Sequence, residues 1–511
     1  MRMEQQRTLP FGLSGAETRR GKWAMVSAVI FCMAAHAFSY FNLSPIHDWL
    51  LEYGIQSYLH QVRLGRPLLA AYLLGKGTIS VPWITGMLCM LYLGLSTWTL
   101  SAAAKIESPW EIALLAGFLS VNLSVIELTG IHQYLVDALM LSLLLSCAGA
   151  ALVHGGQRPG RLLGGAACFW LSFGIYPAFL TTAVVLLGWL ALRDLREGAP
   201  FGQELKKILL WLLAAFLGGV AYLVLCRVVM RVLGQQAYAY QENNIFTLLQ
   251  ANPAEVLRNA ANCCRVFFRM LFHGGGYTGR ITGLGTTLLA LLAAYSLWRD
   301  RAGKGSGFWL TALLFVLAFP LLSQLVNVCS GMEAFRTVYA VFLVYPILLR
   351  AVFACRDSGA HVRRVLAVVL SALVLLSNVR FSNGFYSATK LAYDRALYHV
   401  GRIVEDLQEQ GYDPEQSRVY VLGRVQMDGD KRIEAALDRY ACISGMNDIS
   451  VTYDITFHGM TDLLGVRIRQ TADPEDAEAV WESGVSEDMP CYPAEGYIRQ
   501  LGDITIIKLS G

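Results

Sequence analysis

A bundle of about eleven membrane-spanning helices, followed by a small α/β domain on the outer face, is the fold class this sequence predicts. Three observations predict it. Only 16% of the 511 residues are charged and 55% are hydrophobic, with a mean hydropathy of +0.44; soluble domains carry about 25% charged residues. Long apolar runs recur from residue 24 to residue 379. Such runs then stop, and helix-like and strand-like stretches alternate to the end. The net charge of +4 is small and dispersed, which argues against a nucleic-acid partner.

A spanning helix needs about 20 mostly apolar residues. Runs that meet this are 24–42, 81–103, 109–127, 134–153, 208–230, 281–298, 306–327, 338–355 and 363–379. The first is too long for the apolar core of a cleaved signal peptide and lacks a small-residue cleavage site, so it reads as a retained span. Stretch 162–192 is too long for one span. Arg158 and Arg161 precede it, and Arg193 and Arg196 follow it. Basic loops favour the cytoplasm, so both ends belong inside, and the stretch reads as a hairpin turning near Gly174-Ile175-Tyr176-Pro177. One long tilted helix is the alternative, and it would reverse everything downstream. With the hairpin, the basic residues at 19–22, 105, 158–161, 193–207, 299–304 and 356–364 all fall inside.

The expected organisation is a cytoplasmic N-terminus at 1–23, a transmembrane domain at 24–379 with outer loops 43–80 and 231–280, and an extracytoplasmic domain at 380–511. Semi-apolar stretches 64–76 and 253–272 read as helices lying in the interface. In the tail, 391–410, 431–441 and 474–483 read as helices, and 418–423, 450–457 and 503–509 as strands. Most of the eleven cysteines lie in apolar runs, where they act as small hydrophobes. Cys442 and Cys491, in the tail, could pair if it is outside.

The residues that could carry chemistry gather at the outer ends of the spans. Asp48 lies in the first outer loop, followed by Arg63 and Arg66. A lone carboxylate can deprotonate a hydroxyl, and guanidinium groups suit a lipid phosphate. The plainer alternative is a solvated acid with arginines snorkelling to headgroups. Glu127, His132 and Asp137 form a second group, with Asp137 a turn inside an apolar segment, where an ionised carboxylate needs a partner. They line a substrate cavity or serve as caps and inter-helix hydrogen bonds. Tyr176 marks the hairpin turn, and Glu333 and Arg336 share a short outer loop. Arg336 runs against the inside bias, and a phosphate or Glu333 would explain it.

Walker-type, dinucleotide, zinc-helix and nucleophile-elbow motifs are absent from the sequence. The reactive group must then arrive with the substrate, as an activated lipid does.

Asp48 with Gly65-Arg66-Pro67-Leu68, Asn122-Leu123-Ser124 with Asp137, Ser172-Phe173-Gly174-Ile175-Tyr176-Pro177-Ala178, Ala334-Phe335-Arg336-Thr337, and Asn383-Gly384-Phe385-Tyr386 with Tyr393-Asp394-Arg395 together resemble the motifs of the O-antigen glucosyltransferase II (Gtr-type) family. The resemblance spans roughly residues 25–400. It departs at His47-Asp48, where the family often has paired aspartates, and at Pro177, which stands for a glutamine. The single acid weakens a divalent-metal reading, and no other cofactor is implied. The resemblance implies a polytopic GT-C-like enzyme of the bacterial cytoplasmic membrane. Its donor would be a polyprenyl-phosphate sugar, with glucose the expected sugar, and its acceptor a surface polysaccharide or glycolipid. Asp48 would be the general base, Arg66, Arg336 and then Arg63 would hold the donor phosphate, and a single displacement would invert the anomeric centre. Glu127, His132, Asp137, Tyr176 and Glu333 would contact substrate. A lipid-linked saccharide transporter is the competing reading. It should place polar residues near the midplane in two related halves, whereas here they collect at span ends. A plain anchor for the tail would not need eleven spans.

Overall fold

The computed structural model describes residues 15–42, 55–77, 81–156, 158–237, 252–273, 279–301, 304–331 and 334–423, then parts of 425–471 and residues 473–510. Described residues up to Asn383 form one unit and those from Gly384 onward a second.

The first unit is helical. Its elements are α1 Gly15–Tyr40, α2 Ile55–Arg63, α3 Pro67–Lys76, α4 Pro82–Ala103, α5 Pro109–Ser120, α6 Leu123–Ile131, α7 Gln133–His154, α8 Pro159–Ile175, α9 Phe179–Arg196 and α10 Phe201–Val232. Then come α11 Pro253–Phe268, a π-helical turn Arg269–His273, α12 Arg280–Arg299, α13 Ser306–Leu322, α14 Leu325–Ser330, 3-10 turns Phe335–Thr337 and Tyr339–Leu343, and α15 Val344–Phe353. The last helix, α16 Ala360–Glu409, crosses into the second unit.

Among the described residues, six helices are long and apolar enough to cross a membrane: α1, α4, α7, α10, α12 and α16. A bent pair, α5 with α6, makes up to seven. The expected count of eleven is therefore not reached by length and composition. The reason is that the other predicted spans are shorter or interrupted. Run 306–327 breaks after Leu322, and 338–355 begins as 3-10 helix before α15. Of the two halves of 162–192, α8 has only 17 residues, and α9 has 18 with Arg193, Asp194 and Arg196 at its end. Run 363–379 is the start of α16, which continues well past the expected end.

α1 packs on α4, α4 on α7, α7 on α8 and α8 on α10. Small residues let the last three approach closely, as in other membrane bundles. A Cβ on Gly149 of α7 would lie 2.7 Å from Phe169, and one on Gly218 of α10 would lie 2.8 Å from the Ala166 carbonyl of α8.

The stretch 159–196 returns to the end where it started. Arg193, in the last turn of α9, donates to the Ala103 carbonyl at the end of α4 and lies 3.2 Å from His154 Nε2 at the end of α7. His154 also bonds Asp194, 3.0 Å away. α8 starts five residues after His154, so both ends of the α8–α9 pair lie together. The break falls at 176–178, and α9 begins two residues after Pro177 rather than on it.

α5 and α6 meet at a 45° bend. A break there frees backbone groups that must find partners. The Asn122 side chain accepts from Val125 N at 3.2 Å and donates to Phe118 and Leu119 carbonyls. Tyr339 hydroxyl also donates to the Leu119 carbonyl, and Asn378 to that of Val121.

The second unit is a three-stranded sheet between helices. β1 Arg418–Leu422 lies parallel to β3 Ile504–Lys508, and β2 Ile498–Leu501 lies antiparallel to β3. Strand side chains alternate between two faces. Val419, Val421 and Ile507 bury against Ala396, Val400, Ile403 and Leu407 of α16. Ile504 and Ile506 bury against Val480 of α17 Pro474–Glu482. β2 was not expected, and expected strand 450–457 and helix 431–441 fall mostly outside the described residues. Cys442 and Cys491 are not joined in a disulfide.

Candidate functional site

The α2–α3 turn carries Arg63 and Arg66. Gly65 adopts φ +71°, the left-handed region that glycine enters without Cβ strain. Pro67 at the first position of α3 fixes the helix start. The turn is held from α10, where Tyr222 hydroxyl donates to the Gly65 carbonyl at 2.9 Å. Gly65→Ala should therefore cost about 1–2 kcal/mol, the penalty for a Cβ in that region. Thermal unfolding in detergent checks it; an unchanged midpoint would mean the turn is not constrained.

Arg66 places its guanidinium 4.8 Å from the centroid of the Tyr176 ring. The Tyr176 hydroxyl in turn donates to the Arg336 carbonyl at 3.4 Å. Arg66, Arg336 and Glu127 all lie within electrostatic reach of that hydroxyl. Arg336 donates through Nη1 to Glu127 at 2.7 Å, and Phe335 N donates to the other carboxylate oxygen at 3.0 Å. Ser124 hydroxyl donates to the Phe335 carbonyl. Glu127 is fully buried while the Arg336 side chain stays 24% exposed. The carboxylate thus clamps the 335–337 turn and presents its arginine at a surface. Arg63 faces elsewhere on the same turn, with Nε bonded to the Gln236 carbonyl at 3.3 Å. Burial, reinforced by the charges of Arg66 and Arg63, lowers the His60 pKa. The two guanidinium groups make the turn locally positive.

Asp137 belongs to a separate clamp. It is fully buried and accepts from Lys76 Nζ at 3.0 Å and from Tyr72 hydroxyl at 2.9 Å. Lys76 also donates to Thr85 and to the Tyr134 carbonyl. This network pins α3 to the start of α7. Lys76→Met leaves a buried carboxylate unpaired and should cost about 3 kcal/mol of stability. Adding Asp137→Leu should restore most of that loss. A thermal midpoint in the double variant no better than in the single would show that the pair is not the main tie.

Of the expected site residues, Arg66, Tyr176, Arg336 and Glu127 come together, Arg63 shares the Arg66 turn, and Asp137 sits in its own clamp. His132 links α6 to α7, its N–H bonded to the Leu128 carbonyl at 2.9 Å. Asp48 and Glu333 lie outside the described residues. Lys76, Tyr72 and Tyr222 were not singled out from sequence. Lys76 was findable, since it is the sole lysine or arginine between residues 67 and 104 and Asp137 needed a cation. Among the described residues no three His, Cys, Asp or Glu side chains cluster as metal ligands would.

Several helices long and apolar enough to cross a membrane, with arginines and an aromatic ring gathered where one hairpin turns, define the class: a mainly helical protein that fits a membrane setting. The chain belongs to the glucosyl transferase GtrII family, whose model matches residues 38–378. Membership supports glycosyltransferase activity. No curated protein and no solved structure matches.

Proposed function

We propose that this protein transfers a glucosyl unit from a polyprenyl-phosphate donor to a surface polysaccharide of the O-antigen kind, or to a glycolipid. The transfer takes place on the outer face of a bacterial cytoplasmic membrane. One observation carries the reading. Arg66 and Arg336, far apart in sequence, both contact Tyr176, Arg66 with its guanidinium over the ring and Arg336 with its backbone carbonyl on the hydroxyl. Stacking engages the face of the Arg66 guanidinium and leaves the N–H edge for a phosphate.

In this mechanism Asp48 takes the proton of the acceptor hydroxyl, whose oxygen attacks the anomeric carbon. The bond from that carbon to the phosphate oxygen breaks, and the electron pair leaves with the lipid phosphate. Charge grows on the phosphate as the bond breaks, so positioned guanidinium groups stabilise the transition state more than the ground state. One displacement inverts the anomeric configuration. Glu127 acts by holding the Arg336 turn. His132, Asp137 and Glu333 border the sugar-binding region in this reading.

The test uses the full chain in proteoliposomes with polyprenyl-phosphate-glucose and an acceptor polysaccharide. The expected result is glucosyl transfer that requires the lipid carrier. Equal transfer from a nucleotide sugar with no carrier present would overturn the donor assignment. For orientation, a cysteine at position 430 should label from outside and one at position 200 only from inside. The reverse pattern would place the arginine turn on the inner face.

A further inference from the structure

At the end of the bundle where α9 finishes, the first unit opens a cleft of about 890 Å³. It arises because α12 packs chiefly on α15, and α13 on α9 and α11, rather than on each other. Ala290, Ala294, Leu297, Phe315, Val316 and Leu348 form its apolar wall. Seven lysines and arginines and four carboxylates line it, an excess of three positive charges. α9 separates it from the Tyr176 turn by 18 residues, about 27 Å at helical rise.

The cations have bonding capacity to spare. Arg350 reaches Glu111 and the Lys105 carbonyl only at 3.3 and 3.4 Å, the long end of the range. Arg364 gives one N–H to the Cys355 carbonyl, while its Nε meets no acceptor among the described residues. Arg356 is exposed at the rim. Trp110, Tyr295 and Trp298, next in sequence to the lining residues Glu111, Ala294 and Leu297, are 68%, 48% and 53% exposed, and Arg301 stacks 4.6 Å from Trp298. Exposed aromatic residues of this kind mark the headgroup level of a bilayer.

We propose that this cleft is a binding site for an anionic glycerophospholipid. Arg350, Arg356 and Arg364 hold the phosphate, and an acyl chain lies along the Ala290, Ala294, Phe315 and Val316 wall. Charge selects the headgroup, since basic residues near a membrane surface attract anionic lipid. The apolar slot holds the tail, which a free phosphate lacks.

The test is native mass spectrometry of the full chain in a neutral detergent, given phosphatidylglycerol or phosphatidylcholine with matched chains. Wild type should retain phosphatidylglycerol at least about tenfold better, a conservative figure for three surplus charges. The Arg356→Gln/Arg364→Gln variant should lose the preference. Ala294→Trp, which fills the wall without touching the charges, should lower retention of phosphatidylglycerol. Equal retention of the two lipids by wild type would overturn the site, a result that needs no variant to fold. So would an unchanged preference in the arginine variant. Displacement of phosphatidylglycerol by an equal amount of polyprenyl phosphate would assign the cleft to the donor lipid and overturn the proposal.

Discussion

Glucosyl transfer should fall by about two to three orders of magnitude when Arg336 is replaced by alanine, the usual effect of removing one donor from developing charge. Two causes could produce that loss. Arg336 would stabilise the departing phosphate, and it also neutralises Glu127, which is fully buried. A buried carboxylate stripped of its cation destabilises the surrounding structure. The double variant Glu127→Gln/Arg336→Ala separates the causes. The glutamine can still accept from Phe335 N but carries no charge, so thermal stability should recover toward wild type. Transfer should not recover. Restored activity in the double variant would reduce Arg336 to a counter-ion and remove it from the donor site.

Asp48→Asn should lower transfer by about two to four orders of magnitude, the range for loss of a general base. The amide keeps the size and a hydrogen-bonding oxygen but cannot take the acceptor proton. Binding of the donor lipid should stay close to wild type, because the proposed phosphate contacts lie on Arg66 and Arg336. Rates measured with saturating donor, alongside donor affinity, distinguish the two. Full activity in Asp48→Asn would discard the proposed base.

The parts of this fold that sequence made visible are those set by local pattern. Apolar length marked α1, α4, α7, α10 and α12, and matching basic flanks marked the reversal at Tyr176. What it missed depends on long-range contacts. The bend at Asn122 lies inside a run that reads as one uninterrupted span, and its stability comes from Asn378 and Tyr339, more than 200 residues away. Likewise, the 338–355 run starts as 3-10 helix, close after Phe335, whose backbone N–H is held by Glu127 more than 200 residues away. In the tail, β2 has only four residues and is defined by its pairing with β3, which no periodicity reveals. For the site, residue types at span ends pointed to Arg66, Tyr176, Arg336 and Glu127, but not to which would touch. For Arg336 the sequence suggests a phosphate or a carboxylate such as Glu333; among the described residues Glu127 is such a carboxylate, and Glu333 lies outside them.

That partnership also sets an order in time. Asp137 finds its cation in Lys76, which precedes it in the chain. Glu127 must wait for an arginine 209 residues further on. At about 5–20 residues per second of synthesis, roughly 10–40 s pass between the two. During that interval α6 is made while its counter-ion does not yet exist. The Glu127–Arg336 pair that holds α6 can therefore form only late in biogenesis, once residue 336 of the helical unit has emerged.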